Sequence, residues 1–286
     1  MRSFFIPGGP GLNGEMERRE LAPILSESGL ELITWDEPSS LRGASPNELD
    51  FRGWLESASR RFREASQAHG PLVLIAHSFG AQAALRIAAA EPASVRQLIL
   101  LAPALEVAPA FRGILRIALA DLEAASSPSS ARLAELAGTL GDLSASKWPA
   151  WKEAFEIALT DPALLAHYWK NPGSFQASIR HLADPRYGFD VPSFFGVLAS
   201  FSRVPGLQGA VSVPATLVFA DDDPIAVEAE QAPAAGALLR QMTILRVPGA
   251  SHFVHLDSAH EFAPALVELA GLRSAQRLRP VTTNLL

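Results

Sequence analysis

The stretch Leu72-Val73-Leu74-Ile75-Ala76-His77-Ser78-Phe79-Gly80-Ala81-Gln82-Ala83-Ala84-Leu85 changes character at its centre. It opens as an unbroken apolar run, the composition of a strand buried on both faces of a sheet. It closes as an Ala-rich segment suited to a helix. Between them stands Ser78, with a small residue two before (Ala76) and two after (Gly80). That spacing reads as a nucleophile elbow, a strand-to-helix turn that lifts a serine hydroxyl above a parallel sheet. The turn is tight, so flanking side chains must be small or they collide with strand and helix. Glycine is usual at the first position; Ala76 is one methyl larger. Five residues of this kind mean little unless the rest of the chain supplies partners.

Working outward, strands and helices alternate. Upstream, Ser3 to Ile6 is a short apolar strand that runs into Pro7-Gly8-Gly9-Pro10-Gly11. Glycine permits close backbone approach and positive φ, and proline stiffens the loop. The loop reads either as a plain turn or as an oxyanion loop, with Gly9 the better N–H donor because Pro10 has none. Glu15 to Glu27 has helical spacing, Leu30 to Trp35 is a second strand, and Asp36-Glu37-Pro38-Ser39-Ser40 ends it. Asn47 to His69 is a helix with Phe51, Leu55, Ala58, Phe62 and Ala65 on one stripe. Downstream of the elbow, Val95 to Leu101 is an apolar strand. The rhythm then stops until about Gly206. It resumes with a strand over Pro214 to Ala220, a helix to about Leu239, a strand over Met242 to Val247 and a helix over Ser258 to Leu272. Arg273 to Leu286 has little pattern and reads as a tail. The alternation argues an α/β fold with a mostly parallel sheet of about six strands, helices on both faces. Residues 1–103 and 207–286 form the core, and residues 104–206 are read as an inserted helical cap, or lid. The cap holds Trp148, Trp151, Trp169, Tyr168 and Tyr187. Such aromatics either line an apolar pocket or form the lid's own core.

Composition narrows the function. The 286-residue chain carries a net charge of −6 and no run of Lys/Arg in its body, which argues against a nucleic-acid partner. It has no cysteine, so disulfides, thiolate nucleophiles and Cys-ligated metals are excluded together. No apolar span approaches the roughly 20 residues of a membrane helix. The segment before the first glycines is too short for a signal peptide, and the expected location is cytoplasmic.

A serine hydroxyl needs a base within hydrogen-bond reach to act as a nucleophile. Histidine suits that role, and it needs an acceptor to fix its tautomer. The chain offers Ser78 after one strand, Asp221-Asp222-Asp223 after a later strand, and His252 after the last strand. All lie at carboxyl ends of strands, where open α/β sheets place ligands. His255 competes with His252 but reads more simply as a packed neighbour. His69, His167, His181 and His260 have no motif around them.

The chain resembles the α/β-hydrolases, and within them it is most similar to proline iminopeptidase-like serine hydrolases. The resemblance is carried by Gly8-Gly9-Pro10-Gly11, Ala76-His77-Ser78-Phe79-Gly80, Ala220-Asp221-Asp222-Asp223-Pro224-Ile225 and Ser251-His252-Phe253. It covers about residues 3–103 and 207–272. It is weaker in the lid, where Lys147-Trp148-Pro149-Ala150-Trp151-Lys152-Glu153 is similar to a Trp-rich lid segment. The resemblance implies Ser78 as nucleophile, His252 as general base and Asp223 as acid, with Asp221 next in line. It implies Gly9 and Phe79 as oxyanion donors, and His77 as a brace for the strand. Trp148, Trp151 and Glu153 become candidates for substrate binding. Three departures stand out. Pro7 replaces the histidine that usually braces the first loop. Asp36 to Ser40 replaces a glycine-rich turn and is expected to shape the pocket rim differently. The sheet starts at what looks like the family's third strand.

These expectations amount to hydrolysis of a small ester or amide through an acyl-serine intermediate. The implied partner is a small-molecule or short peptide substrate, and no metal or organic cofactor is required. An aminopeptidase needs lid carboxylates for the substrate ammonium, and Glu153 and Glu156 are available. An esterase or a thioesterase of a biosynthetic pathway does not. A lyase or cyclase using the same side chains for acid–base work, and a ligand-binding protein on the same scaffold, are the other readings.

Overall fold

Leu72–His77 forms the central strand, β3, and all six of its residues are buried. The computed structural model describes residues 1–37, 50–182, 191–204, 206–207 and 210–272. Around β3 lie β1 (Arg2–Ile6), β2 (Glu31–Thr34), β4 (Val95–Leu101), β5 (Ala215–Ala220) and β6 (Met242–Val247), in the order β2-β1-β3-β4-β5-β6. Every pairing is parallel. The chain moves one way from β1 to β2 and the other way from β3 onward. The strand order therefore reverses between β1 and β3, and a ligand crevice belongs outside the carboxyl ends of these two strands.

Alternate residues of each strand point to opposite faces. Phe4, Ile6, Leu72, Leu74 and Ala76 join one apolar cluster with Trp54 and Phe62 of α2 (Phe51–His69) and Ala84 of α3 (Ala81–Ala90). Phe5, Val73 and Ile75 join the other, with Leu25 of α1 (Ala22–Glu27) and Phe262 and Leu266 of α11 (Ala259–Leu269). Full burial of a side chain such as Phe62 contributes about 1.5–3 kcal/mol, which favours apolar residues at the buried strand positions and on the helix stripes that face them. β6, at the edge, is only partly buried.

Between β4 and β5 the chain is helical: α4 (Val107–Ala124), α5 (Ser130–Thr139), α6 (Trp148–Ala158), α7 (Pro172–Leu182) and α8 (Val191–Phe201). This is the inserted helical region, consistent with a lid. After β5 come α9 (Glu228–Leu238) and, after β6, the short α10 (Val254–Asp257).

Several element bounds differ from the sequence reading. The helix expected over residues 15–27 is a π-helical turn, Glu17–Leu21, followed by α1, where Pro23 sits at the helix start. α2 begins at Phe51, because the Asp50 side chain accepts from Gly53 N–H at 2.8 Å and caps it. Gly70, at φ 78°, ends it. The last helix, expected over residues 258–272, is α11, Ala259–Leu269, and the short α10 precedes it. Residues 38–40 and 47–49, Tyr187 and the tail from Arg273 lie outside the described residues. Among the described residues no helix is long and apolar enough to cross a membrane.

Candidate active site

Ser78 sits at φ +50°, in the left-handed region that a non-glycine residue enters at a cost of roughly 1–3 kcal/mol. The surroundings enforce it. Strand β3 is fixed on both faces, and a 3-10 turn over Ser78–Gly80 leads directly into α3. Gly80 explains the small residue after the serine. A Cβ there would stand 2.5 Å from the Pro7 carbonyl oxygen and 2.8 Å from that of Ile6. Ala104 N–H donates to the Ser78 carbonyl at 3.1 Å, so the chain after β4 also holds the turn.

The glycine loop after β1 passes directly over the serine. A Cβ on Gly8 would lie 2.7 Å from His77 Nδ1 and 3.3 Å from Ser78 Cβ. Gly9 has φ +120°, a conformation that side-chain-bearing residues rarely adopt. The loop is held by carboxylates from the segment after β2. Glu37 is buried; its Oε2 accepts from Gly11 N–H at 2.9 Å, and its Oε1 accepts from Trp54 Nε1 at 2.7 Å. Asp36 Oδ1 accepts from Gly14 N–H at 3.1 Å and from Arg18 Nη2 at 3.0 Å.

Three side chains from distant parts of the chain meet above the sheet. The Ser78 Oγ to His252 Nε2 distance is 2.9 Å, and His252 Nδ1 lies 2.9 Å from Asp223 Oδ2. Asp223 Oδ1 accepts from the N–H groups of Ile225 and Ala226 at 2.8 and 3.1 Å. Asp223 and His252 are both buried. A carboxylate only accepts, so Nδ1 carries the imidazole proton and Nε2 is free to accept from the Ser78 hydroxyl. Asp221 and Asp222 are exposed. Their N–H groups donate to the carbonyls of Val247 and Ala250, which ties the acid turn to the loop bearing His252.

Beneath His252, the His77 Nε2–H donates to the His252 carbonyl at 3.0 Å. Burial, with the neighbouring His255 and His252, holds the His77 imidazole well below its usual range, so this ring is neutral. His255 is fully buried and hydrogen-bonds Glu17 Oε1 through Nε2 at 3.0 Å; its ring packs, tilted, 4.8 Å from that of His77. It is a packed neighbour with its own carboxylate partner. His167 and His181 meet Asp121 and Glu20, and His69 meets Arg2.

The loop of His252 is laced to the lid. Buried Asp257 accepts from Ser251 N–H at 2.8 Å, Lys170 N–H at 2.7 Å and Asn171 N–H at 2.6 Å. Phe253 N–H donates to the Tyr168 carbonyl, and Phe253 stacks on Trp169 at 4.2 Å. Tyr168 meets the His252 ring edge-on at 5.4 Å. Burial and the charge of Asp223 push its phenol upward, so it stays neutral.

A cavity of about 410 Å³ lies between lid and sheet, lined by Gly8, Gly9, Ser78 and His252 on the sheet side. Phe111, Ile114, Phe155, Leu164 and Phe194 give the lid side an apolar surface. Asp161 is the one carboxyl in this lining among the described residues; it accepts from Ala163 N–H at 2.9 Å, and burial raises it. Among the described residues no cluster of three or more His, Asp or Glu side chains could hold a metal ion.

Trp148, Trp151 and Glu153, the candidates for substrate binding, are not among the residues lining this cavity. Trp151 is fully buried in the lid's own core, stacked on Phe155, with Nε1 donating to the Asp142 carbonyl at 3.1 Å. Trp148 packs edge-on against Phe195. Glu153 is half-exposed and paired to Arg132 at 2.7 Å, whose hydrogen bonds hold its carboxyl below the usual range. Glu156 pairs with Lys152. Helical periodicity marks a buried face but not whether that face meets a cavity or another helix. The sequence reading also passed over Glu37, Asp257 and Glu17. For Glu37 a signal existed: two carboxylates at the carboxyl end of a strand beside the switch point.

The family model described as "Alpha/beta hydrolase family" matches residues 5–265. A comparison with curated proteins gave no match. Solved structures give many. Monoacylglycerol lipase of Paleococcus ferrophilus is 20% identical, with 95% of each chain covered and a TM-score of 0.60. A serine hydrolase of the polyaromatic-hydrocarbon-degrading bacterium Cycloclasticus zankles is 15% identical over 94% of this chain and 89% of its own, with a TM-score of 0.59. The 2-hydroxy-6-oxo-6-phenylhexa-2,4-dienoate hydrolase of Rhodococcus sp. strain RHA1 is 13% identical over 94% and 89%, with a TM-score of 0.58. At these identities the likeness is one of fold.

Proposed function

The chain belongs to the alpha/beta hydrolase family, and from that premise we propose that it is a serine hydrolase cleaving a small ester with an apolar acyl or alcohol group. The observation that carries the reading is the continuous hydrogen-bonded chain from Ser78 through His252 to Asp223, opening into an apolar cavity. Ser78 Oγ attacks the substrate carbonyl carbon while His252 Nε2 takes its proton. Asp223 holds the imidazole in the accepting tautomer and stabilises the imidazolium that forms. The carbonyl oxygen becomes an alkoxide, received by the N–H groups of Gly9 and Phe79; one such donor is worth about 10²–10³ in rate. The tetrahedral intermediate collapses, His252 gives its proton to the departing alcohol, and an acyl-serine remains. Water, activated by His252, adds to the acyl carbon and regenerates Ser78. These steps use only the chain's own groups and water.

One observation favours an ester over the peptide substrate of a proline iminopeptidase-type enzyme. Glu153 and Glu156, the lid carboxylates available for a substrate ammonium, are engaged by Arg132 and Lys152 away from the cavity. An apolar pocket gains about 0.8 kcal/mol for each methylene it buries. With p-nitrophenyl esters of increasing acyl length, kcat/KM is expected to rise from acetate towards medium-chain esters, and amino-acyl naphthylamides are expected to be poor substrates. Ser78→Ala is expected to abolish ester turnover. Equal turnover by wild type and Ser78→Ala would remove the reading, and a preference for naphthylamides would restore the aminopeptidase.

A further inference from the structure

Glu37 sits in the segment after β2, outside the Ser78–His252–Asp223 chain, yet it bonds both a residue of the glycine loop and the tryptophan whose ring packs against Phe79. Its Oε2 accepts from Gly11 N–H, two residues beyond Gly9 in the loop that passes over Ser78. Its Oε1 accepts from Trp54 Nε1. The Trp54 ring packs against Phe79 at 5.4 Å, and against Phe51, which itself meets Phe79 at 6.0 Å. One buried carboxylate thus ties the glycine loop to the aromatic group that backs the residue after Ser78. Gly9 and Gly11 both have positive φ, so the loop's glycines add conformational freedom rather than fix its course. A buried carboxylate is costly unless hydrogen-bonded, and Glu37 meets that demand with donors from these two supports.

We infer that Glu37 is a positioning residue that sets the spacing between the Gly9 and Phe79 N–H groups, so that both reach the alkoxide of the transition state. The inference rests on the serine-hydrolase reading above. It assigns to a carboxylate of the β2 exit the bracing that Pro7, at the start of the loop, has no side-chain polar group to provide. Because the donors act on the alkoxide and not on the ground-state ester, disturbing their spacing lowers kcat and leaves KM nearly unchanged.

Glu37→Gln tests this with little change of shape. The amide keeps one accepting oxygen and turns an NH2 towards either Gly11 N–H or Trp54 Nε1–H, setting donor against donor. The assays use wild type, Ser78→Ala, Glu37→Gln, Trp54→Phe and the double variant Glu37→Gln/Trp54→Phe, with the best p-nitrophenyl ester. They also use a trifluoromethyl ketone carrying the same acyl chain, and the matching secondary alcohol. Ser78 Oγ adds to the ketone carbon, its proton passes to His252, and the ketone oxygen becomes an alkoxide in the oxyanion site. The alcohol forms no such bond.

The expected result is a fall in kcat of about tenfold or more for Glu37→Gln, with KM within threefold of wild type. Ketone affinity falls in parallel and alcohol affinity stays the same. The double variant recovers part of the lost kcat, because the amide NH2 then faces a phenyl ring while its oxygen still accepts from Gly11. A kcat within twofold of wild type for Glu37→Gln overturns the inference. So does an equal fall in ketone and alcohol affinity, or a double variant worse than the single. Should Glu37→Gln fail to fold, Trp54→Phe decides alone: a loss confined to kcat and ketone affinity supports the inference, and unchanged kcat overturns it. Wild type and Ser78→Ala equally inactive on every ester would remove the hydrolase reading itself, and the role of Glu37 with it.

Discussion

Asp223 accepts three hydrogen bonds, and the two on Oδ1 come from backbone N–H groups that cannot turn away. This decides what an asparagine would do there. Its amide oxygen would stay with Ile225 and Ala226, and its NH2 would face His252 Nδ1. An NH2 facing Nδ1 forces the imidazole proton onto Nε2, the tautomer that cannot take a proton from Ser78. Asp223→Asn is therefore expected to lower kcat by about 10³–10⁴ with the fold intact. Asp221→Asn, an exposed side chain on the same turn, is expected to stay within about twofold of wild type, as is usual for a surface substitution. Steady-state kinetics on one ester checks both. A large loss at residue 221 with none at 223 would move the acid to the other aspartate. The resemblance put the acid at Asp223 with Asp221 next in line; in the turn, Asp223 is buried against His252 and the other two face solvent.

Helix α4 approaches the acid turn closely at Gly113. A Cβ on Gly113 would stand 2.4 Å from the Pro224 carbonyl oxygen and 3.0 Å from Ile225 Cα. Both obstacles are backbone, so neither can rotate aside. Gly113→Ala is expected to push α4 and the acid turn apart, at an overpacking cost of about 1–3 kcal/mol. Because Ile225 N–H holds Asp223, kcat should fall along with the melting temperature. Thermal unfolding and kinetics on the same preparation check this, and wild-type values in both would show that the contact is not felt. Such contacts leave no mark in the sequence: a glycine inside a helix pattern reads only as a weak spot. The strands are the opposite case. β4 and β6 were legible to the residue: Pro92 and Pro103 bracket the first, and Pro248-Gly249 follows the second. The lid helices were legible as helices but not in orientation, and Trp151 and Glu153 stand outside the lining of the cavity.

At the scale of the whole molecule, the reversal of strand order between β1 and β3 gathers the parts. It places the glycine loop and the elbow side by side, and the later strands deliver Asp223 and His252 to the same rim. The lid then closes an apolar cavity over that rim, laced to the His252 loop through Asp257. This convergence was readable in the sequence because a serine, an aspartate and a histidine each follow a strand. Asp257, which holds the N–H groups of Ser251, Lys170 and Asn171, was not, since a side chain that holds backbone N–H groups has no partner residue to form a pattern with.

Whether Ser78 is an activated nucleophile is read out by treating the protein with a serine-directed fluorophosphonate, then measuring the intact mass and mapping the digested peptides. A single adduct, on the peptide containing Ser78, is expected for the native protein and is expected to be absent from both Ser78→Ala and heat-unfolded wild type. An unmodified native protein, or an adduct that persists in Ser78→Ala, would contradict it.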